Sequence, residues 1–529
     1  MADQHTLSKT ERRVIVASSL GTIFEWYDFY LYGSLAAIIS KQFFAGVNET
    51  AAFVFALLAF AAGFAVRPFG ALVFGRVGDL VGRKYTFLIT IVIMGASTFI
   101  VGLLPGYAAI GVAAPIILIV LRLLQGLAIG GEYGGAAVYV AEHAPKGKRG
   151  AFTSWVQTTA SLGLFLSLVV ILAVRAVTGE DFEDWGWRVP FLLSIILLGI
   201  SVWIRLKLEE SPTFQRMKAE GKRSTAPLTE SFLRWPNAKI VLIALLGAVA
   251  GQAVVWYTGQ FYGMFFLTQT LKVDGTTANL LIAAALVIGT PFFIVFGRLS
   301  DRIGRKPIIM AGLALTVLTT FPIFQGLTRF ANPDLAAAQA SAQAVIVADP
   351  ATCSFQFNPI GTATFTSPCD IARGALARAS VPYANQAAEP GTATVVRLGA
   401  TAFTDISAAS LAAAVKAAGY PDKADPAEIN IPVVLALLTL FVLYATMVYA
   451  PIAALLVELF PAKIRYTSMS LPYHIGNGWF GGFLPSVSFA LVAMSGDIYY
   501  GLWYPVLIAG GSLVIGLIFL PETKDRDID

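Results

Sequence analysis

Five fixed charges interrupt stretches that are otherwise apolar: Glu25, Asp28, Arg67, Arg122 and Glu132. If those stretches cross a bilayer, each charge costs at least ~2.5–3.5 kcal/mol at the centre and needs a partner or a task. Glu25 and Asp28 are three residues apart and so share one face of a helix. Arg122, Gln125 and Glu132 fall at steps of three and seven and share a face of another. A carboxyl balanced between burial and a neighbouring guanidinium can titrate near neutral pH. Three carboxyls against two guanidiniums leave one in excess, able to take up a proton. Asp28 and Glu132 are the expected proton carriers, with Glu25 the more structural of its pair. The alternative is a satisfied charge network that only fixes helix packing.

The apolar stretches of the second half carry no Asp, Glu, Lys or Arg away from their ends. They offer aromatic and amide groups instead: Gln252, Trp256, Tyr257, Gln260 and Tyr262 on one, and Tyr444, Tyr449, Tyr473, His474 and Asn477 on two others. Gln252, Trp256 and Gln260 recur at steps of four, which puts them on one helical face. Hydrogen-bonding groups among aromatic walls suit a small polar solute. Arg67 or Arg122 can meet a carboxylate, and Trp256 with the tyrosines can box a quaternary ammonium. Any one of these residues is equally well explained as interhelical glue or an interfacial aromatic, and His474 alone reads as packing.

The elements that would position these groups are membrane helices. The chain is 57% hydrophobic and 13% charged, with a mean hydropathy of +0.71; soluble globular chains carry about 25% charged residues. Apolar runs long enough to cross a bilayer recur twelve times, at roughly 14–40, 51–75, 85–104, 112–141, 150–176, 187–206, 240–270, 276–297, 307–328, 431–457, 466–494 and 498–520. The polar start shows no cleavable leader. With the N-terminus inside, inner segments hold 25 of the 37 Lys and Arg, which predicts two cytoplasmic termini. The net charge of +5 is then topological and gives no reason to invoke nucleic acid.

Two motifs repeat 222 residues apart, GRVGDLVGRK (75–84) and GRLSDRIGRK (297–306). They align Gly75 with Gly297, Asp79 with Asp301, Gly82 with Gly304 and Arg83 with Arg305. A second echo joins EHAPKGKR (142–149) to ELFPAKIR (458–465). Glycine permits a tight turn; the Asp can pair with a guanidinium or cap a helix N-terminus, tying helices together when the inner side is shut. A membrane chain of two related halves is the signature of a transporter. Gly75 to Glu142 is 67 residues and Gly297 to Glu458 is 161, so the second half carries an insertion, at about 329–430, facing outside. Both cysteines, Cys353 and Cys369, fall in it and are expected to form a disulfide.

The repeated loop resembles the signature of the major facilitator superfamily, with Leu80 where Arg is usual and Arg302 in the second copy. GTIFEWYDFYLYG (21–33), RPFG (67–70), RLLQGLAIGGEYGGA (122–136), GWRVPF (186–191), EESPTF (209–214) and ELFPAKIRYTSMS (458–470) resemble the metabolite:proton symporters, a group that includes carriers of α-ketoglutarate, citrate, shikimate and proline or betaine. The resemblance covers all of the chain except the insertion. It implies an all-α integral membrane fold of twelve helices in two six-helix pseudo-symmetric bundles, residues 1–206 and 240–529, joined by a cytoplasmic loop at 207–239. In that frame Arg122 looks like the superfamily's fourth-helix arginine, which modulates proton binding.

The expected activity is proton-coupled symport of a small organic metabolite by alternating access, with an organic acid favoured by the two intramembrane arginines. The alternatives are a proline/betaine-type osmolyte symporter and, from another class, a transporter-like membrane receptor with the insertion as its ligand-binding part. Site expectations are Asp28, Glu132, Glu25 and Arg122 for the proton, and Arg67, Gln252, Trp256, Tyr257, Gln260, Tyr444, Tyr473, His474 and Asn477 for the substrate. An enzyme is not expected. There is no nucleophile elbow, nucleotide loop or metal-ligand spacing, His occurs only at 5, 143 and 474, and no cofactor is implied. The expected partners are a small molecule, protons and lipid, with a monomer in a bacterial inner (plasma) membrane.

Overall fold

A computed structural model describes residues 9–45, 62–207, 210–357 and 365–528. In a hydrocarbon layer every backbone N–H and C=O must be satisfied within the segment, so long apolar runs become helices. The long helices are α1 (Lys9–Ser34), α2 (Arg67–Leu80), α3 (Arg83–Leu103), α4 (Ala113–His143), α5 (Arg149–Thr178) and α6 (Arg188–Leu206) in the first half. The second half supplies α7 (Trp235–Thr270), α8 (Gly275–Ile303), α9 (Arg305–Ala331), α10 (Ile431–Leu459), α11 (Arg465–Ser495) and α12 (Trp503–Phe519). Ten of the described helices, those from α3 onward, are long and apolar enough to cross a membrane. α1 is less apolar, and much of the run expected at 51–75 lies outside the described residues. Large apolar side chains such as Val177 (88%) and Leu318 (73%) are exposed on the outer faces of the helices, as lipid-facing positions are. The chain is a multi-pass membrane protein.

Helix packing follows the repeat. α1 lies against α5 and α6, and α3 against α4 and α6; in the second half α9 lies against α10 and α12. Between the halves, α2 packs on α11 and α8 packs on α5, two contacts that exchange under a shift of six helices. Local irregularities concentrate in α7 and α11. α7 is π-helical at Leu245–Val249, Thr258–Tyr262 and Phe266–Thr270, and α11 at Gly476–Gly481. Each π turn rotates the later part of its helix relative to an ideal one. α10 breaks at Pro451, whose ring removes a backbone donor.

The all-α expectation fails in the insertion. α9 runs on to Ala331, and between Asn332 and Asn430 the chain builds a four-stranded mixed sheet: β1 (Ala344–Ala348), β2 (Tyr383–Ala387), β3 (Val395–Leu398) and β4 (Thr401–Phe403), in the order β2-β1-β3-β4. β1 and β2 pair in parallel, with Ala344 opposite Tyr383, and the helix Pro368–Arg378 makes the crossover. β3 pairs antiparallel to β1, with Val396 opposite Ile346. Ala344, Ile346 and Ala348 alternate inward, and the β-branched residues at 345–347 and 395–396 are good strand formers. Cys353 and Cys369 are bonded, joining the loop after β1 to the first turn of the crossover helix. Beside them Asp370 accepts from Ser354 N (2.8 Å), Ser354 Oγ (2.7 Å) and Gln356 Nε2 (2.7 Å).

The unit is seated on the second half. Asn332 Nδ2 donates to Leu271 O (2.8 Å) and Ala424 N to Lys272 O (3.0 Å), at the end of α7. Tyr383 donates from its N to Gly496 O (3.1 Å) and from its hydroxyl to Ala493 O (2.8 Å), at the end of α11. Reducing the Cys353–Cys369 bond, which closes a separation of 16 residues, is expected to destabilise this unit by roughly 3 kcal/mol and leave the membrane helices intact. Hydrogen exchange of the β1 amides before and after reduction reads it. Unchanged protection counts against the disulfide as the staple of the unit.

Candidate functional site

Two assemblies of buried polar groups lie where the halves meet. The first is at the ends of α2 and α8. Asp79, at the last turn of α2, accepts from Thr467 N in the first turn of α11 (2.9 Å) and pairs with Arg83 (3.3 Å). Arg83 donates to Gly78 O (3.0 Å) and to Ala462 O of the other half (3.1 Å). Gly78 is needed here because a Cβ would stand 2.7 Å from the Tyr466 ring. At the equivalent place Asp301 accepts from Gly150 N and Ala151 N (2.8 Å each), in the first turn of α5, and pairs with Arg305 (2.7 Å). Each motif carboxylate therefore caps a helix of the opposite half, where exposed N–H groups and the helix dipole favour an anion. Gly82 (φ 136°) and Gly304 (φ 112°) make the turns, in a region open to glycine.

The second echo supplies the rest of the clasp. Glu142 pairs with Arg465 across the halves (2.8 Å), and Glu458 pairs with Arg305 (3.0 Å) and with Arg149 across the halves (3.7 Å). A third echo was missed in the sequence. Glu210 accepts from Arg83 N and Lys84 N (3.1 and 3.2 Å), and Glu522 from Arg305 N and Lys306 N (3.0 Å each). The following hydroxyls, Ser211 and Thr523, donate to Glu142 and Glu458. The signal was present as Glu-Ser and Glu-Thr pairs at similar distances after Glu142 and Glu458. Arg302 is exposed and has no ion pair among the described residues, so the pairing belongs to Arg83 and Arg305, and Leu80 removes nothing from the first clasp. The segment between the halves joins in through Glu230, which Lys463 (2.7 Å) and Ser224 (2.8 Å) contact. The Lys463 and Ser224 hydrogen bonds hold the Glu230 carboxyl below the usual glutamate range. With the folded value depressed, this tie is fully present at neutral pH and is lost only as pH falls through that value.

The second assembly lies deeper and contains most of the expected substrate residues. Arg67 sits over the Phe64 ring (4.4 Å) and beside Trp26 (5.9 Å), and interacts with Tyr257, Tyr449, Tyr473 and His474 of the other half. Trp256 faces Trp26 across the halves (6.3 Å) and stacks on Tyr449 (6.3 Å). Tyr473 stacks on Tyr133 at 3.5 Å and its hydroxyl meets that of Tyr449, while Gln157 Nε2 donates to the Tyr133 hydroxyl (2.7 Å). Gln252 and Asn477 bond amide to amide (3.3 Å in both directions). Gln260 is buried within the second π turn of α7, and no polar contact ties it to the group among the described residues. Tyr444 packs on Phe441 (6.0 Å) and Tyr262 among Phe266, Phe324 and Phe489, inside the second half. Trp26, Phe64, Tyr133 and Gln157 were not singled out from the sequence, because aromatic and amide residues on a first-half helix carry no mark of which neighbour they face.

The charge tally changes. Arg205, at the end of α6, is 1% exposed and pairs with Glu132 at 2.6 Å, while Thr90 donates to the same carboxylate (3.3 Å). Arg205 is thus a further buried guanidinium, one that the tally of Glu25, Asp28 and Glu132 against Arg67 and Arg122 leaves out. Arg122 donates to Gln125 (2.5 Å), which donates to Thr98 (2.8 Å), and Thr98 lies beside the buried Asp28. Asp28 Oδ1 makes no hydrogen bond among the described residues. The Glu25 side chain lies outside what is described.

The Sugar (and other) transporter family matches residues 14–239 and 396–529. The shikimate transporter of Escherichia coli (strain K12) is 36% identical over 333 residues, 61% of this chain and 75% of that protein. The alpha-ketoglutarate permease of the same strain is 34% identical over 332 residues, 62% and 75%. Its proline/betaine transporter is 36% identical over 321 residues, 59% of this chain and 64% of that protein, under two thirds of its length. In fold, the chain is similar to the proton:xylose symporter XylE bound to 6-bromo-6-deoxy-D-glucose, with a TM-score of 0.65 at 16% identity over 99% of this chain and 98% of that one.

Breaking one cap should open the clasp. Asp79→Asn removes the nearer carboxylate from Arg83 and leaves it Glu142 at 3.9 Å, a change worth about 1–3 kcal/mol against the shut form. A cysteine placed at buried Ser470 should then react faster with a thiol reagent than in the parent carrying Asp79. Equal rates would mean that the clasp does not hold this end closed.

Proposed function

We propose, from the premise that this chain belongs to the sugar (and other) transporter family of the major facilitator superfamily, that it carries a small organic acid into the cell together with a proton. The observation that carries this reading is Arg67: a buried guanidinium of the first half, faced by tyrosines and His474 of the second, at the junction both halves share. A carboxylate there would gain a charge-assisted bond in a low-dielectric site. The similarity to a shikimate transporter and an alpha-ketoglutarate permease supports an acid. A second reading, a proline/betaine-type osmolyte, is favoured by the rings of Trp26, Trp256 and Tyr449, which can take a quaternary ammonium.

The layout that goes with this function is twelve spans in two bundles, 1–206 and 240–529, linked through 207–239, with both termini and the clasp inside and the inserted unit outside. The paired contacts α2–α11 and α5–α8 and the Lys/Arg bias support it. The working unit is a monomer in a bacterial inner membrane. With the clasp shut, the chamber is closed to the cytoplasm; releasing Asp79 and Asp301 from the helix ends they cap opens it, and the two halves rock about the substrate.

Asp28 carries the proton in this scheme. It is buried, and it connects through Thr98 and Gln125 to Arg122 on α4. A neutral Asp28 relaxes the pull on Arg122; an ionised one restores it. Glu132, held by Arg205, is a brace. In vesicles, Asp28→Asn should abolish accumulation driven by an inward proton gradient while exchange of substrate down its gradient persists. Glu132→Gln should lower protein yield and stability by about 3–5 kcal/mol because the buried Arg205 loses the carboxylate it pairs with. Uncoupler-sensitive accumulation by the Asp28→Asn protein would remove Asp28 from the proton path.

A further inference from the structure

Hydrogen bonding at the junction is lopsided. Its hydroxyls and amides are largely spent on one another: Tyr449 with Tyr473, Gln157 with Tyr133, and Gln252 with Asn477. Two nitrogen-bearing side chains are not. Trp256 Nε1 and both ring nitrogens of His474 make no hydrogen bond among the described residues, although the residues are only 4% and 1% exposed. Indole N–H is a donor only, and a neutral imidazole offers one N–H. Leaving such a donor buried and unsatisfied costs about 1–3 kcal/mol, so an acceptor is expected to arrive. Tyr262 also has an unpartnered hydroxyl, but it is enclosed by phenylalanines within the second half.

These donors belong to the same assembly as the guanidinium already assigned to a carboxylate. His474 interacts with Arg67 from α11, and one turn on a Cβ at Gly478 would stand 3.7 Å from Arg67 Cβ. Trp256, on α7, faces Trp26, which lies 5.9 Å from the Arg67 guanidinium carbon. Arg67 belongs to the first half and both donors to the second. Resting on the reading of this junction as the transport site, we infer that His474 and Trp256 are its specificity-determining donors and that the substrate is a carboxylate bearing a second oxygen acceptor: a hydroxy-, oxo- or dicarboxylate. The carboxylate binds Arg67, and the second oxygen accepts from the second half. Such a solute bridges the halves and stabilises their closure about it; a simple monocarboxylate binds one half and bridges poorly. A site built to hydrogen-bond a substrate oxygen rejects the analogue that lacks it, because the donors stay dry. A betaine fails for the same reason, its cationic end offering no acceptor.

The test uses the full-length protein in detergent, with calorimetric binding of a panel of hydroxy-, oxo- and dicarboxylates, alpha-ketoglutarate and shikimate among them. Each is measured against its matched monocarboxylate (cyclohexene-1-carboxylate for shikimate, pentanoate for alpha-ketoglutarate), and glycine betaine is included. At least one two-acceptor acid should bind about tenfold or more tighter than its match and than betaine. Trp256→Phe and His474→Phe should each reduce that preference about tenfold. The inference is overturned if matched monocarboxylates or betaine bind as tightly as every two-acceptor acid, if none of the panel binds, or if both substitutions weaken all probes equally. Should a variant not fold, the comparison within the wild-type panel still decides. Arg67→Gln separates the two levels. Loss of all acid binding together with no preference in the panel retains the site and removes the donor assignment, whereas unchanged acid binding removes the site itself.

Discussion

A charge that cannot reach water must be answered by another group, and in this chain the answers come from across the molecule. Arg67, Arg83, Arg122, Arg205, Arg305 and Arg465 are among its largest fully buried side chains. In a low dielectric an unanswered guanidinium is strongly destabilising, so each one dictates what stands opposite it. Arg465 requires Glu142, Arg305 requires Glu458 and Asp301, and Arg205 requires Glu132. Because Arg465 and Glu142 stand 323 positions apart on opposite halves, and Arg149 reaches Glu458 in the same way, the charge constraint also sets how the halves meet.

The clasp and the deeper aromatic assembly are joined by short links. The Tyr466 hydroxyl, one residue after Arg465, donates to Gly131 O, next to Glu132. α11 runs from the capped end at Thr467 to His474 and Asn477, and α2 from Arg67 to Asp79. Each of these helices thus carries a clasp residue at one end and a residue of the deeper assembly at the other. The π turns in α7 and α11 fall beside the chamber residues and mark where these helices depart from regular backbone pairing.

The inserted unit obeys a different rule. Outside the hydrocarbon a sheet edge is tolerated, and β2 and β4 are edges with mostly exposed residues. Its seat on Leu271, Lys272, Ala493 and Gly496 ties it to the ends of α7 and α11, the two helices that bring most of the second-half side chains to the chamber.

Much was legible from residue order alone. Length and apolarity determine that a run becomes a membrane helix, because the backbone has no other way to satisfy itself there. The doubled GR…GRK motif and the Glu142/Glu458 echo determine that two halves repeat, and the two cysteines lie within one segment. Spacing also ties Arg122 to Gln125, since a step of three is a contact on any helix. What spacing cannot say is which face meets which neighbour. Glu132 and Arg205 are 73 residues apart, and only the packing of α3 against both α4 and α6 makes them a pair. Tyr473 and Tyr444 look alike in sequence; one stacks on Tyr133 across the halves and the other packs on Phe441. Gln260 falls inside a π turn that no residue pattern announces, and the Ala-rich insertion hides a sheet because its strands are only three to five residues long. Periodicity is a property of one helix, whereas a binding chamber is a property of several, so the rotation of each about its axis, set by packing, decided the site.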